Sequence, residues 1–138
     1  MSKVYVLDAC ALIASLSNEE GANKVEAVYD KVVAGKAKVV VNIINLLEVY
    51  YDDYRIRGKD SADKMVTAIK ASPTKIVSEI GSDIFAEAGR LKASYRISLA
   101  DSIVLAQTKV LGGTLLTSDH HEFDVIEAKE PIDFLWIR

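Results

Sequence analysis

Short runs of β-branched and apolar residues alternate along the chain with longer segments whose apolar positions recur every three or four residues. Residues 3–7 (Lys-Val-Tyr-Val-Leu) read as a short buried strand. Residues 38–41 and 114–117 repeat that style behind Gly35 and Gly112-Gly113, and weaker strands are predicted at 75–77, after Pro73, and at 132–136, after Pro131. Helical periodicity predicts helices over 11–16, 22–34, 43–55, 59–71, 82–95 and 99–110, several bounded by caps such as Gly35 or Ser98. Strands joined through helices and buried on both faces make a parallel sheet. The expected fold is therefore α/β, three layers (α/β/α), with a mainly parallel central sheet of about five strands.

Composition narrows the picture. With 138 residues, half of them hydrophobic and 27% charged, the chain is expected to form one globular domain over 1–138; no linker or internal repeat divides it. A net charge of -3 gives no overall positive field toward nucleic acid or anionic membrane, so such binding must use local patches. The single cysteine, Cys10, forms no internal disulfide, and no Cys/His spacing of a zinc site occurs. The apolar stretch 4–16 is interrupted by Asp8 and is too short to span a membrane, so it reads as mature structure, and the expected location is cytoplasmic.

In an open parallel sheet ligands bind beyond the carboxyl ends of the strands, so the acids placed there matter most. Asp8 ends the first predicted strand and Asp119 follows the strand 114–117; each also suits a helix N-cap or turn. Glu48 flanks an apolar stripe of Ile44, Leu47 and Tyr51, about 40° from Ile44 on a helical wheel, near the face expected to pack inward. Asp101 stands three residues after Ser98, the spacing of a capping box, in a helix that is apolar on most of its surface. Were all four to converge, each like-charge pair at 4 Å would cost roughly 4 kcal/mol at an effective dielectric of 20. No Lys or Arg lies within three residues of any of them. The expected counter-charge is a divalent cation held by oxygen ligands, Mg²⁺ or Mn²⁺, and protonation of one acid is the other escape.

At these positions the chain resembles the PIN-domain family, in particular the VapC-type ribonuclease toxins of toxin-antitoxin pairs. The matching pieces are Val6-Leu-Asp8-Ala-Cys10-Ala-Leu-Ile13, Asn45-Leu-Leu-Glu48, Ser98-Leu-Ala-Asp101-Ser-Ile-Val-Leu-Ala106 and Leu116-Thr-Ser-Asp119-His-His-Glu-Phe123. The resemblance implies a three-layer fold and Mg²⁺- or Mn²⁺-dependent hydrolysis of RNA phosphodiesters, with Asp8, Glu48, Asp101 and Asp119 as metal-binding catalytic acids. Asp124, Asn45 and Thr117 are accessory candidates. Cys10 departs from the family, which usually carries Ser, Thr or Asn there.

Local cations must guide an anionic substrate into an acidic protein. Arg55, Arg57 and Lys59 follow the Glu48 helix, and Arg90, Lys92 and Arg96 precede Asp101; these are the candidate RNA contacts, each also readable as an ordinary solvated helix face. Leu46 and Val49 lie opposite Ile44, Leu47 and Tyr51, so that helix is apolar on both sides and suits a homodimer or an antitoxin chain. The family also contains RNA-processing nucleases, and a catalytically inactive RNA- or protein-binding module is a further alternative. A phospho-receiver-like Mg²⁺ module would want an adjacent acid pair after an early strand and a Lys ending a late one, and neither is present.

Overall fold

The computed structural model describes residues 2–138. Among them run β1 (Lys3–Leu7), α1 (Ala9–Leu16), α2 (Ala22–Val33), β2 (Ala37–Asn42), α3 (Ile43–Arg57), α4 (Lys59–Ala71), β3 (Thr74–Val77), α5 (Ser82–Ser94), α6 (Leu99–Val110), β4 (Thr114–Thr117), α7 (His120–Lys129) and β5 (Asp133–Trp136). The strands form one sheet in the order β3-β2-β1-β4-β5, with every pairing parallel.

Alternate residues of a strand face opposite sides, and both sides here are dry. Tyr5 and Leu7 of β1, Val39 and Val41 of β2 and Leu116 of β4 pack on one face against Leu12, Val25, Val28, Leu46, Val49 and Ile69 of α1–α4. Val6, Val40 and Leu115 face the other layer, where Leu91, Val104, Phe123 and Ile126 of α5–α7 meet them. Burying each such Leu or Phe contributes about 1.5–3 kcal/mol, so the two apolar faces dictate the three layers. Gly21 closes one edge: its φ is +97°, and a Cβ there would stand 2.6 Å from the Ile137 carbonyl oxygen.

Strand order places the ligand edge. From β1 the chain builds outward to β2 and β3, then crosses back to β4 and β5 on the other side of β1. The reversal between β1 and β4 opens a crevice at their carboxyl ends, and α1 and α7 start immediately beyond it.

Two expectations change. The turn after β4 is followed by a helix, α7, that the apolar pattern did not reveal, because only Phe123 and Ile126 of its ten residues are buried. The inward face of α3 is that of Leu46 and Val49, with Asn45, whereas Leu47 and Tyr51 are about half exposed. The reason is that α3 packs against α1 and α4 as well as the sheet, and Leu46 and Val49 meet that layer.

Candidate active site

Each acid sits where its backbone position also gives it a local task. Asp8 caps α1, its Oδ1 accepting the Ala11 amide at 2.9 Å, while its Oδ2 accepts the Thr117 hydroxyl at 2.5 Å. Asp119 caps α7 through Oδ1, which accepts the Glu122 amide at 3.1 Å, and its own amide donates to Thr117 Oγ1 at 3.1 Å. Ser98 caps α6 by accepting the Asp101 amide at 3.0 Å, which leaves the Asp101 carboxyl in the first turn. Glu48, half-buried on α3, takes a hydrogen bond at 3.4 Å from Asn45 Nδ2. The cap readings of Asp8, Asp119 and the Ser98-x-x-Asp101 pair are thus realised together with a shared position at the carboxyl edge.

Burial sets the electrostatics. Asp8 is only 3% exposed, and desolvation pushes its carboxyl from 3.8 up to about 7; the Thr117 and Ala11 hydrogen bonds pull it down, and the charges of Asp101 and Asp119 push it up. Asp101 is raised to about 6, first by desolvation, with Ser98 pulling it down and Asp119, Glu48 and Glu122 adding repulsion. Glu48 is raised by desolvation, with the Asn45 hydrogen bond pulling it down and the Asp52 charge adding to the rise. Asp8, Asp101 and Asp119 therefore act on one another by charge, and Glu48 acts on Asp101. No three His, Cys, Asp or Glu side chains among the described residues close to the spacing of a metal cage.

Thr117 and Asn45 are both fully buried, and Asn45 Oδ1 has no hydrogen-bond partner beside Glu48. Asp124 lies on α7, exposed, with Oδ1 2.8 Å from His120 Nδ1. Four of the expected RNA-contact cations are spent on carboxylates: Arg55 on Asp52, Arg57 on Asp53, Lys59 on Asp63, and Arg90 on both Glu87 and Glu130. Lys92 and Arg96 are exposed. Burial and the neighbouring Asp8 and Asp119 push the Cys10 thiol up to about 12, so it stays neutral and is no nucleophile.

Glu122 is the member that the sequence reading missed. Its amide holds Asp119 and its charge acts on Asp101. The spacing Asp119-His-His-Glu122 has the form of a helix-start signature and signals both this residue and α7.

Carboxyls at the switch point of a five-stranded parallel sheet between two helical layers define an α/β protein of the class whose ligand sites lie at the strand ends. The PIN domain model matches residues 5–129, and the chain belongs to the PIN-domain family. Among solved structures it is similar to a DNA-bound VapBC from Salmonella typhimurium (14% identity, TM-score 0.75, all of both chains covered). It is also similar to a toxin-antitoxin complex from Klebsiella pneumoniae (19%, 0.70, 97% of this chain and 98% of that one). A third likeness is VapC20 of Mycobacterium tuberculosis, described as a sarcin-ricin loop cleaving toxin (12%, 0.66, 88% and 94%). Among curated proteins no sequence match was found.

Proposed function

We propose that residues 1–138 form a single Mg²⁺- or Mn²⁺-dependent endoribonuclease domain, the toxin of a cytoplasmic toxin-antitoxin pair. The observation that carries this reading is the burial of acids side by side at the β1–β4 crevice: desolvation raises Asp8 to about 7 and Asp101 to about 6, and the charges of Asp101 and Asp119 on Asp8, and of Asp119 and Glu48 on Asp101, add to it. A cluster that disfavours its own ionisation is suited to a cation. The donor set fits a hard one, being all oxygen, and the unpartnered Asn45 Oδ1 adds another buried acceptor beside Glu48. Asp8, Glu48, Asp101 and Asp119 would hold the ion.

When bound, such an ion supplies positive charge against the anionic phosphate and the charge its oxygens gain during hydrolysis. Thr117 and the Ala11 amide fix both oxygens of Asp8, so its orientation costs nothing further when the substrate arrives. Asp101, partly exposed in the first turn of α6, is the carboxylate suited to orient the attacking water. The N-termini of α1, α6 and α7 lie at the same edge and favour a phosphate there. With Cys10 neutral, hydrolysis proceeds without a covalent protein intermediate.

Leu47, Tyr51 and Tyr54 leave an exposed apolar face along α3. That face suits a homodimer contact or an antitoxin chain, in keeping with relatives captured as toxin-antitoxin complexes. No helix among the described residues is long and apolar enough to cross a membrane.

The test is incubation of the purified protein with total RNA, with Mn²⁺ or with EDTA, beside Asp8→Asn and Asp101→Asn. Cleavage is expected only in the parent with Mn²⁺. Cleavage that survives EDTA or both substitutions rejects the reading.

A further inference from the structure

Arg96 makes no ion pair among the described residues, although Arg55, Arg57, Lys59 and Arg90 each hold a carboxylate. It borders an open cavity of about 410 Å³ whose other walls are Tyr95, Ile97, His121, Glu122 and Val125. That volume lies within the range of small-ligand sites.

One residue, Glu122, links the acid cluster to the cavity. Glu122 lines it, donates its amide to Asp119 Oδ1 at 3.1 Å, and acts by its charge on Asp101. A strand whose phosphodiester lay at the acids would have its next nucleotide at this opening. The far wall is fixed, because the Tyr95 hydroxyl donates to Glu130 Oε2 at 2.6 Å and Glu130 is clamped by Arg90 at 2.5 Å. On the near wall the His121 side chain is 93% exposed, and its nearest carboxylate, Glu122, is 3.9 Å away.

These groups describe a ligand. A permanent guanidinium matches one phosphate. A planar exposed imidazole beside Val125 and Ile97 offers a surface for a base. Glu122 opposes a second phosphate, and it can accept a hydrogen bond from a base amino group or a 2′-hydroxyl, which bare inorganic phosphate lacks.

We propose that this cavity is the subsite for the nucleotide adjacent to the cut phosphodiester of a single-stranded RNA, with Arg96 holding its phosphate and His121 its base. The proposal rests on the nuclease reading for the direction of the strand. Arg96 is a substrate-binding residue and leaves the hydrolytic step to the acids.

Two measurements separate the subsite from the catalytic reading. Binding of a fluorescent oligoribonucleotide in EDTA at low salt is followed by anisotropy for the parent, Arg96→Ala, Arg96→Lys, His121→Ala and, at an exposed lysine before β2 on the opposite edge of the sheet, Lys36→Ala. Arg96→Ala is expected to weaken binding about tenfold and to flatten the log–log salt dependence by about 0.7, the value for one contact to a single strand. Arg96→Lys should recover part of the loss, His121→Ala should weaken binding without changing the salt slope, and Lys36→Ala should match the parent. With Mn²⁺, Arg96→Ala should raise KM for the oligonucleotide while turnover of bis(p-nitrophenyl) phosphate, which has no neighbouring nucleotide, stays as in the parent. Equal binding and equal salt slopes for the parent and Arg96→Ala overturn the subsite even if the parent cleaves RNA. So does a parent that binds no oligonucleotide. RNA binding that depends on Arg96 in a protein that never cleaves would uphold the cavity as a nucleotide-binding site but overturn its place beside a cut phosphodiester, and the nuclease reading with it.

Discussion

Thr117 donates its hydroxyl hydrogen to Asp8 Oδ2 across 109 residues of sequence, and Thr117 Oγ1 itself accepts the Asp119 amide. One side chain at the end of β4 thereby ties together the acids that flank the β1–β4 crevice. Thr117→Val keeps the shape and removes the hydrogen bond. A hydrogen bond to a charged group contributes about 1.5–3 kcal/mol, so Asp8 should become harder to ionise and Mn²⁺ affinity at pH 7 should fall at least tenfold. Thr117→Ser should keep most of it. Calorimetric titration with Mn²⁺ measures the difference, and equal affinities for the parent and the Val variant would remove Thr117 from the site.

Stability and activity should pull in opposite directions at Asp8. In the unfolded chain its carboxyl ionises near 3.8, and in the folded chain at about 7. Between those values the folded state holds a proton that the unfolded state has released, so this group's contribution to stability is whole below about 4 and is lost as pH rises through 7. In EDTA, Asp8→Asn should melt with the parent near pH 4 and roughly 3–8 °C above it at pH 8, if relief amounts to about 1–2 kcal/mol. RNA cleavage by the variant should be absent. For the parent, Mn²⁺ affinity should rise between pH 6 and 7, as protons leave Asp101 and then Asp8. A variant that melts below the parent at pH 8 contradicts the burial cost assigned to Asp8.

Much of this arrangement was legible in the residues themselves. β1, α4, α6 and β4 begin and end where the apolar runs and their caps put them. The reason is that β-branched runs such as 38–41 must be buried on both faces, which leaves a parallel sheet as the solution. Helix α7 escaped notice because its burial rests on two residues, Phe123 and Ile126, and its start is written in polar capping chemistry. The turn of α3 was misjudged because Ile44, Leu47 and Tyr51 make as good a helical stripe as Leu46 and Val49, and only the neighbouring α1 and α4 decide between them. The shared edge of Asp8 and Asp119 followed from strand ends, whereas their tie through Thr117 needs the β1–β4 register, with Leu7 opposite Leu116, which no local pattern contains.

Arg90 illustrates how a surface cation acquires a structural task. Its guanidinium reaches Glu87 and Glu130 at 2.5 Å each, and the Glu130 side chain is only 8% exposed. Arg90→Ala leaves that carboxylate partly buried with the Tyr95 hydroxyl as its remaining partner. A loss of about 1–2 kcal/mol is expected after allowing for the exposure of Arg90 itself, which is several degrees in Tm. Arg55→Ala is the control: its pair with Asp52 is exposed at both ends, so no measurable change in Tm is expected. Equal melting losses for the two variants would show that the Glu130 clamp contributes nothing special.

His120 reports on the C-terminal strand through the chain's single tryptophan. Its ring stacks on Trp136 at 3.8 Å between centroids and 14° between planes, with Nδ1 2.8 Å from Asp124 Oδ1 and Nε2 2.8 Å from the Arg138 carbonyl oxygen. Both acceptors favour the imidazolium, the Asp124 hydrogen bond first, so the pKa lies above 6.5. A raised value means that the contribution of His120 to stability is complete below 6.5 and is lost as pH climbs through the folded value. Trp136 fluorescence should therefore titrate with a midpoint above 6.5, since the charge on a ring in van der Waals contact changes indole emission. His120→Gln should abolish that transition, and Asp124→Asn should move its midpoint down. The melting temperature of His120→Gln should fall further below the parent's at pH 6 than at pH 9. A midpoint that stays in place in Asp124→Asn would detach the imidazole from that carboxylate.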